Sequence, residues 1–243
     1  MTLSIFFPCY NDVHSIGALI ADAEHLARKL AEDYEILVVD DGSEDGSREL
    51  LDSIALSCPK LRVIKHESNR GYGGALRTGF SNSRMELVFY TDGDGQYRLE
   101  SLESLWELMI PGVDVVNGYK QGRSDPWYRI VAGRLYLAFV RQVFRLKIRD
   151  VDCDFRIIRR SALSRITLTQ DSGLICIELV KRLELAGHKF VEMPVAHHPR
   201  LHGSSQFFKP GHVLKTLSGM AGMWWNLMVR RETAVDLASR VFK

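Results

Sequence analysis

Short apolar runs alternate with amphipathic stretches through the first half of the chain, and this alternation constrains the fold more than any other feature. The runs are Leu3–Phe7, Glu35–Val39, Arg62–Lys65, Met85–Tyr90 and Val113–Asn117, each of strand length. Between them, Ile16, Leu19, Ile20, Ala23, Leu26 and Leu30 recur at helical spacing, as do Leu50, Leu51, Ile54 and Ala55, and later Leu99, Leu102, Leu105, Trp106 and Met109. Strand–helix alternation of this kind predicts an α/β fold with a mostly parallel sheet covered by helices on both faces. Ligands of such sheets bind at the carboxyl ends of the strands. Polar clusters stand at those ends: Pro8–Asp12, Asp40–Ser43 and Thr91–Gln96.

The second half is less regular. A basic amphipathic helix is expected from Trp127 to about Phe144, then a strand or turn over Arg149–Arg156, a helix over Ile175–Ala186 and a strand over Lys189–Ala196. No low-complexity linker interrupts the 243 residues, which predicts one compact domain. No apolar run reaches the roughly 18–20 residues of a membrane-spanning helix. Val213–Val229 comes nearest, broken by Lys215 and Asn226. Its Trp224-Trp225 pair and terminal Arg230-Arg231 suit a helix in the membrane interface, and equally a helix packed on the domain's own core. Met1 leads straight into the first strand without a basic leader, so no signal peptide is expected. The four cysteines form no CxxC pair, which points to a reducing compartment and away from disulfides or zinc.

Charge is divided unequally. Residues 1–118 carry 10 Lys/Arg against 20 Asp/Glu, and residues 119–243 carry 22 against 10. A basic half suits an anionic partner, a phosphate ligand or a membrane surface. No nucleic-acid-binding motif accompanies it, so no nucleic-acid partner is expected.

Among the motifs, YTDGDGQ at residues 90–96 is the sharpest. Asp92 and Asp94 follow an apolar strand, and two carboxylates this close repel unless a cation joins them. Oxygen ligands of this kind take Mg²⁺ or Mn²⁺ and leave positions for phosphates. The loop is not an EF-hand: counting from Asp92, the glycine position holds Tyr97. Asp150-x-Asp152-x-Asp154 fails in the same way, with Phe155 there. Asp40-Asp41-Gly42-Ser43 can accept hydrogen bonds from a base or a ribose, or can serve as an ordinary loop and helix cap. Asn69 to Gly79 is glycine-rich before a helix, which allows a phosphate or sugar close to the backbone, or merely tight packing. It lacks the dinucleotide fingerprint, since Leu76 stands at the third glycine position. The histidines of HHPRLH are separated by Pro199 and follow a strand, which excludes the helical zinc motif. Arg200 with Gly203, Ser204 and Ser205 makes a phosphate clamp instead.

Together these segments resemble family 2 glycosyltransferases of the GT-A fold, a Rossmann-like architecture, and most closely the dolichyl-phosphate mannose synthase-like, polyprenyl-phosphate branch. FFPCYND, VVDDGSEDGS and NRGYGGALRTGF are similar to that family's nucleotide-binding segments, and YTDGDGQ to its metal-binding D-x-D loop. IRDVDCDFRIIRR is similar to the stretch around the acceptor-side aspartate, and HHPRLHGSS to the closing Arg…Gly-Ser segment. Many relatives have Ser-Gly where Cys153-Asp154 stand, and Ser-Lys where Ser205-Gln206 stand, with Lys209 a possible stand-in. The resemblance implies inverting transfer from a UDP- or GDP-sugar. It divides the domain into a nucleotide-sugar half (1–118), an acceptor half (119–208) and a C-terminal helical segment (209–243). Pro8, Tyr10, Asn11, Asp12, Asp40, Asp41, Gly71 and Asp92 are then expected at the nucleotide, and Asp92, Asp94 and Gln96 at a Mg²⁺ or Mn²⁺ ion.

A lipid phosphate acceptor is already largely dianionic at neutral pH and needs cations to position it, not a base. Residues 119–149 supply eight cations against the one acid Asp125, interleaved with Trp127, Tyr128, Leu135, Tyr136 and Phe139. Arg123, Arg129 and Arg134, with Arg200, Ser204 and Ser205, are the expected acceptor-phosphate residues. A saccharide hydroxyl would need a base, for which Asp150 or Asp152 is available. Asp94, Asp150, Asp152 and Arg123 are thus the residues expected at the reacting groups. The expected partners are a nucleotide diphosphate sugar, a polyprenyl phosphate, the cytoplasmic face of a membrane and a separate membrane subunit. A non-catalytic nucleotide-sugar-binding subunit is the rival from outside enzymology.

Overall fold

The fold is described from a computed structural model over residues 1–122, 127–198 and 218–230, with residues 127–129 in backbone only. Seven strands form one sheet in the order β3-β2-β1-β4-β6-β5-β7. They are β1 (Leu3–Cys9), β2 (Tyr34–Asp40), β3 (Leu61–Lys65), β4 (Leu87–Thr91), β5 (Val115–Gln121), β6 (Phe155–Arg159) and β7 (Phe190–Ala196). The five strands expected in the first half are all present, with ends displaced by a few residues. β1, β2 and β4 are buried along their whole length, as parallel strands covered on both faces must be.

The departure from parallel order is β6. It lies between β4 and β5 and runs antiparallel to both. The sequence reading left Arg149–Arg156 as strand or turn; the strand begins only at Phe155 and continues to Arg159. Because β6 runs backwards, its start, not its end, lies at the edge where β4 and β5 finish. Residues 150–154 are thereby brought to the carboxyl edge of the parallel strands.

Helices cover both faces. α1 (Ile16–Leu30), α2 (Ser47–Ser57) and α4 (Ser101–Glu107) pack one side, using Ile16, Leu19, Leu51, Leu102 and Leu105 against Ile5, Phe7 and Phe89. α3 (Tyr72–Asn82), α6 (Arg160–Leu163) and α7 (Ile175–Leu185) pack the other, with Leu76, Phe80 and Leu179 against Phe6, Val88 and Tyr90. α7 is buried from Ile175 to Leu183 because a further layer lies over it. α5 (Trp127–Phe144), with the expected bounds, contributes Val140 and Phe144 to that layer. A helical segment over 218–224 and its π-helical continuation Trp225–Val229 contribute Met220, Met223 and Leu227. The described part of the proposed interfacial helix therefore turns one face onto the protein's own core, with the Trp224 indole N–H donating to the Val143 carbonyl at 3.0 Å. Trp225 and Val229 remain about half exposed, at 50% and 47%. Among the described residues no helix is long and apolar enough to cross a membrane.

Helix α3 sits unusually close to the sheet. A Cβ at Gly79 would stand 2.1 Å from the Phe6 ring. In an open helix Gly→Ala would stabilise by about 1 kcal/mol; here Gly79→Ala is expected to destabilise by roughly 1–3 kcal/mol through overpacking. Urea unfolding midpoints check the sign.

Candidate active site

The loops leaving β1, β2 and β4 interlock at the carboxyl edge. After β1 the chain turns through Asn11, whose φ of 58° is left-handed, a conformation asparagine tolerates. The Asn11 amide donates to Ser43 Oγ at 3.0 Å, and its Oδ1 accepts from the Glu44 amide at 2.9 Å. The Asp12 amide donates to Ser47 Oγ at 3.2 Å, and Asp12 Oδ2 accepts from the Tyr10 amide at 3.1 Å. Tyr10 itself is 45% exposed, an aromatic surface open at the cleft. The Asp92–Gln96 loop presses on this turn from the other side. Ser15 Oγ donates to the Gly93 carbonyl at 2.6 Å, and a Cβ at Gly93 would meet the Pro8 carbonyl at 2.9 Å.

Asp40 and Asp41 are used within the protein. Asp40 is fully buried, pairs with Arg48 at 2.6 Å and accepts from the Ser43 amide. It organises the turn from behind, not as an open acceptor. Asp41 Oδ1 lies 2.6 Å from His66 Nδ1 and accepts from the Arg70 amide at 2.8 Å. His66 Nε2 in turn lies 2.9 Å from Thr78 Oγ1, so Asp41 ties β3 to α3.

Gly71 has φ 81°, and its would-be Cβ points 2.4 Å from the Asp171 carbonyl. A Cβ at Gly73 would fall 2.2 Å from the Gln170 carbonyl. Close approach of residues 170–171 therefore requires glycine at these two positions. The Gly73 amide donates to the Asp171 carbonyl at 2.9 Å, and Arg77 pairs with the Asp171 carboxylate. Behind this strap, buried Glu178 accepts from the Thr169 amide and hydroxyl, the Gln170 amide and Arg182.

So anchored, α3 delivers Tyr72 to the acidic loop. Its hydroxyl donates to Asp92 Oδ1 at 2.7 Å. Burial pushes the Asp92 carboxyl well above the usual range, and the charges of Asp154 and Asp94 push it further; the Tyr72 hydrogen bond and Lys120 oppose them. Asp94 Oδ1 accepts from the Gln96 amide at 3.0 Å. Gln96 Nε2 donates to the His198 carbonyl at 3.2 Å and its carbonyl accepts from the His198 amide, which fastens the loop to the end of β7.

The reversed β6 brings the 150–154 loop to the same place. Asp150 is committed to the backbone, accepting from the amides of Lys120 and Asp152. The Lys120 ammonium donates to the Asp152 carbonyl at 2.5 Å. Burial works to lower the Lys120 pKa, but Asp150, Cys153, Asp152 and Asp154 outweigh it and hold the charge. Asp154 Oδ1 accepts from the Tyr90 hydroxyl at 3.2 Å and the Cys176 thiol at 3.3 Å. Arg156, fully buried, donates to the carbonyls of Val151 and Cys153 at 2.9 Å each and lies over the Tyr90 ring.

The structure thus brings Pro8, Tyr10, Asn11, Asp12, Asp41, Asp92, Asp94 and Gln96 together with Asp150 and Asp152. Arg134 is exposed on α5. Arg123, Arg200, Ser204 and Ser205 lie outside the described residues, as does the side chain of Arg129. Tyr72, Lys120, Asp154 and Arg156 were not among the expected site residues. Tyr72 is the one aromatic inside the glycine-rich turn, and Arg156 is a lone cation inside an apolar strand; both are signals in retrospect.

Asp152 carries a pH signature. Its carboxyl is pushed up from 3.8 to about 6, by burial first, with Lys120 opposing and Asp150 and Asp154 adding to the rise. The folded chain holds this proton more tightly than the unfolded one. The resulting stability is full below about pH 4 and is lost as the pH rises through about 6. In EDTA, Asp152→Asn is expected to flatten the stability curve between those values. An unchanged slope of urea midpoint against pH would refute the assignment.

Three comparisons bear on this arrangement. A family model described as Glycosyl transferase family 2 matches residues 4–167. A protein of Aeromonas hydrophila subsp. hydrophila named undecaprenyl-phosphate 4-deoxy-4-formamido-L-arabinose transferase is 30% identical over 210 residues, which is 84% of this chain and 62% of that protein. The chain spans about six-tenths of the length of such relatives. Mannosyl-3-phosphoglycerate synthase from Rubrobacter xylanophilus superposes with a TM-score of 0.67 at 19% identity, over 95% of this chain and 75% of that one. Glucosyl-3-phosphoglycerate synthase from Mycobacterium tuberculosis, in complex with Mn²⁺, uridine diphosphate and product, superposes with a TM-score of 0.59 at 19% identity, over 93% and 79%. These likenesses establish the architecture as the GT-A fold.

Proposed function

From a chain that belongs to glycosyl transferase family 2, we propose a transferase that moves a sugar from a UDP- or GDP-sugar to a polyprenyl phosphate with inversion. The observation that carries this reading is the crowding of Asp92, Asp94 and Asp154 at the end of β4, where burial and mutual repulsion push Asp92 well above its ordinary range. Such a group is relieved by a cation. Asp92 and Asp94 would hold Mg²⁺ or Mn²⁺, beside Gln96. Among the described residues no three acidic, histidine or cysteine side chains converge into a closed cage. A two-carboxylate site fits an ion whose other ligands are diphosphate oxygens and water. Bound there, the ion neutralises charge on the departing nucleoside diphosphate.

The residues of the chain do the rest. Tyr72 fixes Asp92, and Ser15 fixes the Gly93 backbone. Tyr10, Asn11, Asp12 and Asp41 border the place for base and ribose, with Asp40 bracing them from behind. Lys120 supplies a fixed positive charge beside the 150–154 loop for an acceptor phosphate. The lipid reading draws support from α5, where Val131, Leu135 and Phe139 stand on one stripe at 46%, 67% and 51% exposure, beside exposed Arg134. An apolar stripe flanked by arginine suits the surface of an anionic membrane and supports a peripheral protein; the cytoplasmic face and a separate membrane subunit belong to the same proposal. The relative from Aeromonas carries an undecaprenyl-phosphate acceptor in its name, and the mycobacterial relative was crystallised with Mn²⁺.

A second reading rests on Asp152. A carboxyl poised at about 6 suits a general base, as a saccharide hydroxyl acceptor would require. An acceptor screen with UDP- and GDP-sugars and Mn²⁺ separates the two. Product on a short polyprenyl phosphate and none on saccharides is the expected result, and the reverse overturns the lipid acceptor. Asp92→Asn and Asp94→Asn are each expected to lower kcat/KM by about 100-fold or more. Wild-type glycolipid formation in both would instead favour a non-catalytic nucleotide-sugar-binding role.

A further inference from the structure

A cleft lined by cations lies on the flank of α3 turned away from the acidic loop. A cleft of about 560 Å³ runs between α3 and residues 160–168. Arg70, Arg77 and Arg160 line it, together with the hydroxyl-bearing Thr78, Ser81 and Thr167, and no carboxylate does. Along the helix, positions 74, 77, 78 and 81 share the cleft face, while Tyr72 at the first turn points the opposite way, to Asp92. The cleft and the acidic loop are thus on opposite sides of one helix.

The partners of the three guanidiniums are uneven. Arg77 Nη2 pairs with Asp171, but Arg77 Nε is buried and has no partner among the described residues. A buried donor left unmade costs about 1–3 kcal/mol, and Arg77 is one of the residues that line the cleft. Among the described residues Arg160 spends only its Nε, on the Met85 carbonyl at 3.1 Å. The Arg70 side chain has no partner among the described residues; only its backbone amide is engaged, by Asp41. A neighbouring cleft of about 360 Å³ shares Arg160 and adds Arg84 and Arg159, with the carboxylate of Glu86 already paired to Arg159. Cations concentrated here stand out because residues 1–118 are otherwise acidic, with 20 Asp/Glu against 10 Lys/Arg. Guanidiniums facing one open space repel one another until an anion joins them, and their fork matches phosphate oxygens.

We infer that the cleft between α3 and residues 160–168 binds a phosphate-bearing anion, through Arg77 Nε, Arg160 and Arg70, separately from the acidic edge of the sheet. The ligand chemistry is an anionic phosphate group, supplied either by a free phosphate or pyrophosphate ion or by the phosphodiester of a lipid headgroup.

The test uses the full chain in EDTA, so that no divalent cation bridges an anion to Asp92 and Asp94. Inorganic pyrophosphate is titrated calorimetrically in one arm. In the other, the chain is sedimented with vesicles of phosphatidylglycerol in phosphatidylcholine, against phosphatidylcholine alone. Arg77→Lys keeps a cation opposite Asp171 and removes the Nε donor; Arg160→Ala removes a guanidinium that makes one hydrogen bond to the chain. Each variant is expected to raise the dissociation constant roughly tenfold, the loss of one charge-assisted hydrogen bond. Saturable, variant-sensitive pyrophosphate binding identifies free phosphate as the source; variant-sensitive retention by anionic vesicles alone identifies a headgroup. The inference is overturned if neither ligand is held, or if both variants bind as wild type does. Should Arg77→Lys melt early, Arg160→Ala decides alone. An inactive donor site leaves this result untouched, because no nucleotide or divalent ion takes part.

Discussion

Like charge held partly out of water is the constraint around which this molecule is arranged. Asp92, Asp94, Asp152 and Asp154 meet where the parallel strands end, and there the carboxyls of Asp92 and Asp152 are both pushed up by burial and by neighbouring acids. The surroundings answer with fixed donors. The Tyr72 and Tyr90 hydroxyls donate hydrogen bonds to Asp92 and Asp154, half-buried Lys120 brings one cation, and fully buried Arg156 brings another. Each of these comes from a different element: α3, β4, β5 and β6. The cluster is consequently a junction at which the two halves of the chain are electrostatically tied.

Much of the scaffold could be read in advance because its causes are local. A strand buried on both faces is an apolar run, and a helix against a sheet repeats every three to four residues; β1 to β5 and α5 follow directly from that. β6 resisted reading because it is five residues long, carries Arg156 in its middle and follows three aspartates, all marks of a loop. Only the tertiary setting, two backbone carbonyls and an aromatic ring, makes a buried guanidinium tolerable there.

The candidate site divides in the same way. Its polar loops were legible as loops, yet what each side chain does depends on distant partners. Asp41 meets His66, and the glycines at 71 and 73 meet residues 170–171, about a hundred positions later. Spacing within one segment carries no record of such a partner. The glycine-rich stretch is the clearest instance: its pattern suggests a ligand against the backbone, and its geometry supplies another piece of chain.

The reversed strand has a consequence for how the protein is made. β5 pairs only with β6 and β7, and β4 and β5 never touch as neighbours. During synthesis, residues 1–118 can assemble β3, β2, β1 and β4, but β5 emerges with no edge to join. It must wait until residues 155–159 leave the ribosome and slot in beside β4. The acidic loop after β4 therefore exists before its cationic counterparts are in place, and Arg156 arrives on the very strand that closes the gap. Non-local pairing of this sort is slow, and the strand that joins β5 to the rest of the sheet is also the one that completes the charge balance of the cleft.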